Sequence, residues 1–109
     1  MKHSQLLALD AIVTTGTFRG AAERLHKSQS AISHTIRQLE DELDLKLLSR
    51  DAYRPDLTAE GRVFYREASR VLTQMRELDA TAARLGAREE PEFRLAVSAT
   101  LPLDLLLPM

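Results

Sequence analysis

Apolar residues recur at helical spacing through most of the chain, most clearly from Ser28 to Leu43. Ile32, Ile36, Leu39 and Leu43 stand four, three and four residues apart and make one stripe on a helix. Ser28, just ahead, is a natural N-cap, its hydroxyl able to accept from a free N–H of the first turn. The opposite face near the N-terminus carries Gln29, Ser30, Ser33, His34 and Arg37, with no carboxylate among them. The acids Glu40, Asp41 and Glu42 come only toward the far end. One end of this helix can therefore approach a polyanion and the other cannot. That is the pattern of a helix entering a DNA major groove by its N-terminal half. The alternative is an amphipathic helix with a merely solvated face.

The same periodicity orders what comes before. Leu6, Leu9, Ile12 and Val13 predict a helix over Ser4 to Thr15, stopped by Gly16. Thr17 caps a second, short helix, Phe18 to His26, with Phe18, Ala21, Ala22 and Leu25 on its buried face. The paired alanines let another helix cross close by. Only His26, Lys27 and Ser28 separate this helix from the next, which is helix-turn-helix spacing. The usual turn glycine is missing, so His26 or Lys27 must take up the turn. A plain helical hairpin is the alternative.

After Leu43, Asp44 stands where a glycine would be most comfortable, and Asp tolerates the left-handed conformation better than most residues. Lys46–Ser49 and Arg54–Leu57 read as two short strands with a turn between them. A hairpin beside a helix-turn-helix is a wing, and Arg50 and Arg54 become candidates for phosphate or minor-groove contacts. The alternative is a solvated loop with incidental arginines.

Thr58 caps a long helix that runs to about Leu85, with Glu60 in its first turn where the dipole favours an acid. Phe64, Ala68, Val71, Met75, Leu78, Ala82 and Leu85 alternate four and three residues apart, an a/d seam. So long a seam exceeds what the small preceding domain can cover. The expected partner is the same helix of a second chain; packing within one chain is the alternative. Gly86 to Pro91 reads as a breaker and linker. Phe93 to Ala99 alternates as a strand, and Thr100 begins a leucine-rich turn or helix. These pieces cannot form a domain, so they are expected to be the truncated start of a parallel α/β domain.

Composition narrows the function. The 109 residues allow one small domain plus extensions. The absence of cysteine excludes disulfides and Cys-ligated metals. His3, His26 and His34 lack metal-ligand spacing, so neither a metal nor a cofactor is expected. Asp10 interrupts the apolar run behind Lys2, which argues against a signal peptide. Leu101 to Met109 is broken by Pro102, Asp104 and Pro108, so no stretch spans a membrane and a cytoplasmic protein is expected. No paired acids, nucleophile–base set or glycine-rich loop points to an enzyme. The formal net charge is −1, yet it is unevenly spread. Residues 1–37 hold five cations (Lys2, Arg19, Arg24, Lys27, Arg37) and two acids, a local +3, while residues 38–60 hold three cations and seven acids, a local −4. A local basic surface matters more than the total.

Together these residues resemble the DNA-binding domain and linker helix of the LysR-type transcriptional regulators. The resemblance lies in Phe18-x-x-Ala21-Ala22-x-x-Leu25, in Ser28-Gln29-Ser30-Ala31-Ile32-Ser33, in Ile36-x-x-Leu39-Glu40-x-x-Leu43, in Arg50, and in Leu57-Thr58-x-x-Gly61. Departures are Ser30 where proline is common, Asp44 for the usual glycine, Leu48 for the usual phenylalanine, and a shifted basic register at Tyr53 and Arg54. The tail is similar to the start of that family's effector-binding domain. The resemblance implies a mainly α fold: a winged helix-turn-helix domain over 1–57, a dimerisation linker helix over 58–86, and a hinge with a truncated α/β effector domain over 87–109. It implies a sequence-specific regulator of double-stranded DNA, with Lys27, Ser28, Gln29, Ser30, Ser33, His34, Arg37, Arg50 and Arg54 at the interface. It also implies a homodimer through antiparallel linker helices, a tetramer at full length, and a small-molecule co-inducer for which Ser98 and Thr100 are candidate contacts. A molybdate-type winged-helix regulator, and a coiled-coil interaction module that binds no DNA, are the alternatives.

Overall fold

The computed structural model describes residues 1–49 and 54–88. Its elements are α1 (His3–Thr15), α2 (Phe18–Leu25), α3 (Gln29–Leu43), β1 (Leu48–Ser49), β2 (Asp56–Leu57) and α4 (Ala59–Arg88). The fold is mainly helical, and the chain divides into two compact units, Met1–Leu72 and Thr73–Met109.

In the first unit α1 is buried on two sides. Ala8, Leu9, Ala11 and Ile12 join Ala21 and Ala22 of α2, Ile32, Ile36 and Leu39 of α3, and Leu47 and Leu48 in one core. Leu6 turns to a second cluster with Ala68 and Leu72 of α4, flanked by Leu7 and Phe64. The alanines explain the closeness of the three helices, because a methyl group leaves room for a crossing backbone. Ile32, Ile36 and Leu39 are fully buried, and each such side chain contributes roughly 1.5–3 kcal/mol of transfer free energy.

The helix ends are set by local chemistry. The backbone N–H of Lys2 donates to Gln5 Oε1 at 2.7 Å, which starts α1 one residue earlier than the apolar spacing suggests. Gly16, at φ +86°, ends it. Thr17 Oγ1 accepts from Gly20 N at 2.8 Å and Ser28 Oγ from Ala31 N at 3.1 Å, so both expected caps form. His26 takes the turn, at φ 58° and ψ 46°, and therefore closes α2 at Leu25 instead of extending it. Asp44 adopts the same conformation after α3, at φ 53° and ψ 45°.

The wing is shorter than the sequence suggests. β1 and β2 have two residues each and pair antiparallel, Leu48 opposite Leu57 and Ser49 opposite Asp56. The preceding backbone is spent elsewhere. The Leu47 N–H goes to a side chain of α3, and the Leu47 carbonyl accepts from Thr58 N at 3.0 Å. On the other strand Pro55 has no N–H to offer a ladder.

Thr58 Oγ1 accepts from Gly61 N at 2.9 Å and caps α4. A Cβ on Gly61 would stand 2.1 Å from the Leu47 carbonyl oxygen, so only glycine lets α4 start against the wing. Further along, Tyr65 Oη donates to Asp10 Oδ1 at 2.7 Å and joins α4 to α1. The seam expected for a second chain is divided here. Phe64 and Ala68 pack on α1 of their own chain, as does Leu72, which lies outside the a/d register and is only 2% exposed. Val71 remains 46% exposed.

In the second unit α4 continues to Arg88, with Leu78 67% and Leu85 52% exposed. Gly86 does not break the helix as expected. A single interior glycine costs about 1 kcal/mol relative to alanine, and the surrounding alanines and arginines favour helix. The expected strand from Phe93 to Ala99 and the segment from Thr100 lie outside the described residues.

Candidate nucleic-acid interface

The N-terminal half of α3 is built to present side chains. Its apolar stripe is anchored in the core by Ile32, Ile36 and Leu39, which fixes the rotation of the helix. Gln29, Ser30, His34 and Arg37 are then exposed and Ser33 is half-buried. From position 29 to 37 the helix rises about 12 Å, comparable with the width of a major groove, ~12 Å.

These groups differ in how committed they are. The Ser28 hydroxyl is engaged by Ala31 N and lies 3.2 Å from Ser30 Oγ, so both serines already serve the helix start. Among the described residues, the side chains of Lys27, Gln29, Ser33, His34 and Arg37 make no hydrogen bond or ion pair. They combine donors, acceptors and two cations with no acid in the sequence between positions 27 and 37. The other cations of this region are partly occupied: Arg19 lies 3.4 Å from Glu23, and Arg24 donates to Thr14 Oγ1.

Arg54 is exposed, and the structure brings it beside the helix-turn-helix. A Cβ on Gly16 would stand 3.4 Å from Arg54 Nη1, so the guanidinium rests over the turn between α1 and α2. Arg50 lies outside the described residues, as do Ser98 and Thr100.

Reading the sequence missed three polar residues that hold this surface. Glu40 is 4% exposed, and its Oε2 accepts from Leu47 N at 2.8 Å and Leu48 N at 3.1 Å. Its position four residues after Ile36, on the apolar stripe, is the signal that marks it as inward. Gln5, 2% exposed, accepts from Lys2 N and donates to Glu42 Oε2 at 3.4 Å. That bond, followed by the Met1 ammonium 3.3 Å from Glu42 Oε1, holds the Glu42 carboxyl below its ordinary range. Asp10 is the third, through Tyr65.

Among the described residues no cluster of three His, Asp or Glu side chains could hold a metal ion. No helix there is long and apolar enough to cross a membrane.

The chain is similar to known proteins in sequence and in structure. The family described as bacterial regulatory helix-turn-helix protein, lysR family, matches residues 3–62. The HTH-type transcriptional regulator YeeY of Escherichia coli (strain K12) is 36% identical over 104 residues, covering 95% of this chain and 34% of the relative. The regulator AceR of Acinetobacter baumannii is 36% identical over 101 residues, covering 93% of this chain and 34% of the relative. The chain thus spans about a third of the length of these relatives. Among solved structures, the complex of BenM DBD with benA site 1 DNA superposes with a TM-score of 0.74 at 30% identity, over 79% of this chain and 97% of that one. The CbnR DBD–DNA complex gives 0.69 at 34% identity, over 81% of this chain and all (100%) of that one.

Proposed function

From the premise that the chain belongs to the LysR family of bacterial regulatory helix-turn-helix proteins, we propose that it is the DNA-binding end of a transcription regulator. The observation that carries this reading is the set of uncommitted polar and cationic side chains on the N-terminal half of α3: Gln29, Ser33, His34 and Arg37. Gln pairs with adenine and Arg with guanine in the major groove, while Lys27 in the turn and Arg54 on the wing meet phosphates or the minor groove. Ser28 and Ser30 contribute through the helix start, and Arg50 adds a further cation by its place in the sequence. Residues 1–57 form the DNA-binding domain and 58–86 the linker helix, which dimerises two chains. Residues 87–109 lead into an effector domain that binds a small-molecule co-inducer, with Ser98 and Thr100 as candidate contacts. The regulator works in the cytoplasm and has no catalytic role.

Selection of a duplex from a randomised library by the 109-residue chain, then fluorescence anisotropy over a salt series, tests the reading. Affinity is expected to fall steeply with salt, by roughly 0.9 log unit per log unit of salt for each phosphate contact. Arg54→Ala should weaken all duplexes alike and flatten that slope by about one unit. Recovery of no preferred sequence, with salt-insensitive self-association only, would favour an apolar interaction module instead.

A further inference from the structure

The carboxylate of Glu40 has no part in the interface, yet it is buried where the recognition helix meets the wing. Resting on the DNA-binding reading above, we propose that Glu40 is a positioning residue that sets the wing relative to the recognition helix. Three features support it. Glu40 sits on α3 itself, eleven residues after Gln29, so the base-reading end and the wing anchor belong to one rigid rod about 16 Å apart. Its Oε2 accepts two successive backbone N–H groups, Leu47 at 2.8 Å and Leu48 at 3.1 Å. Those are the last residue before β1 and the first residue within it, and both are buried hydrophobic positions.

A strand pair of two residues each cannot fix its own direction. It needs an anchor at its base. Hydrogen bonds to an ionised acceptor are about twice as strong as neutral ones, and a carboxylate meeting two N–H groups fixes both direction and distance. The opposite strand is tied to the same point, because Leu47 also accepts from Thr58 N at 3.0 Å through its carbonyl. Leu47 is thus held from both sides, by α3 through Glu40 and by the start of α4 through Thr58. Losing the Glu40 bonds frees β1, and with it the angle at which Arg54 meets the DNA. The base-reading face of α3, held separately by Ile32 and Ile36, stays in place.

Glu40→Gln keeps the volume and one acceptor but removes the charge. Anisotropy with the selected duplex is expected to show about tenfold weaker binding and a salt slope flatter by about one unit, with base preference unchanged. In a background lacking both wing cations, Arg50→Ala with Arg54→Ala, the same substitution should then add less than twofold, since all three act through the wing. Losses that simply multiply, or an altered base preference, would overturn the proposal. Amide hydrogen exchange of the free chain separates this from the DNA-binding reading. In the wild type, Leu47 and Leu48 should be protected like the core of α3. In Glu40→Gln they alone should exchange faster, while α1 and α3 keep their protection. Unprotected amides in the wild type, or loss of protection throughout the domain in the variant, would reject the positioning role even where DNA binding holds. Protected, Glu40-dependent amides in a chain that selects no duplex would instead reject the DNA-binding reading and leave the anchor standing.

Discussion

Gln29 stands in the first turn of α3, exposed, with its amide free among the described residues. An amide that offers a donor and an acceptor side by side matches the N6 and N7 edge of adenine. Gln29→Ala should therefore relax preference at one base of each half-site and cost about 1–3 kcal/mol on specific DNA. Selection from a randomised half-site checks this, and an unchanged preference removes Gln29 from the reading set. The outward orientation of these candidate side chains was legible beforehand. Side chains that point outward from a helix follow from the apolar residues that point inward, so Gln29, Ser33, His34 and Arg37 could be placed from Ile32, Ile36 and Leu39 alone. Inward polar residues were legible in position only: the spacing of Glu40 after Ile36 marks it as inward but not what it bonds. Glu40 and Gln5 carry the composition of a solvated face but occupy positions on the buried one, and their partners are backbone groups or distant side chains. Such partners have no sequence spacing that announces them.

At the scale of elements, helix starts were legible because Thr17, Ser28 and Thr58 declare themselves by chemistry within three residues. Strand lengths were not, because the wing's extent depends on what else claims the Leu47 backbone. The turn of the helix-turn-helix lies between these cases. The missing glycine required a residue to adopt the left-handed region, but the choice of His26 over Lys27 follows from which N–H closes α2. The His26 N–H faces the carbonyls of Ala22 and Glu23, and the Lys27 N–H bonds the Ala22 carbonyl at 2.9 Å. A residue with a Cβ costs roughly 1–2 kcal/mol in that region, and glycine returns part of this gain to the unfolded chain. His26→Gly is therefore expected to stabilise the domain by about 0.5–1 kcal/mol, measured as a higher urea midpoint at an unchanged m-value. A lower midpoint would mean that the imidazole supplies packing that the backbone strain conceals.

For the whole molecule, the apolar face of α4 is the surface on which the proposed pairing of two copies rests. Its a/d register suggested one continuous seam, but the domain takes Phe64 and Ala68 for itself and adds Leu72. Periodicity could not separate the two uses, since a helix packing on its own domain and one packing on a partner show the same spacing. The seam residues outside both core clusters begin at Val71 and continue as Met75, Leu78, Ala82 and Leu85. An exposed Val71, Leu78 and Leu85 at intervals of seven is apolar surface that water covers poorly. Pairing these helices in two chains would fix the separation of two recognition helices, and with it the spacing of DNA half-sites. Met75 lies within this stretch and outside both core clusters. A carboxylate there would have to be buried unpaired or would force the helices apart. Met75→Asp is thus expected to give a folded monomer that binds a single half-site and loses the tight binding of the paired site. Ala68→Asp, by contrast, should unfold the domain, because Ala68 packs against Leu6 of its own chain. Sedimentation of Met75→Asp at micromolar concentration, with circular dichroism to confirm the fold, separates the two roles. A dimer that survives this substitution would place the association on another surface.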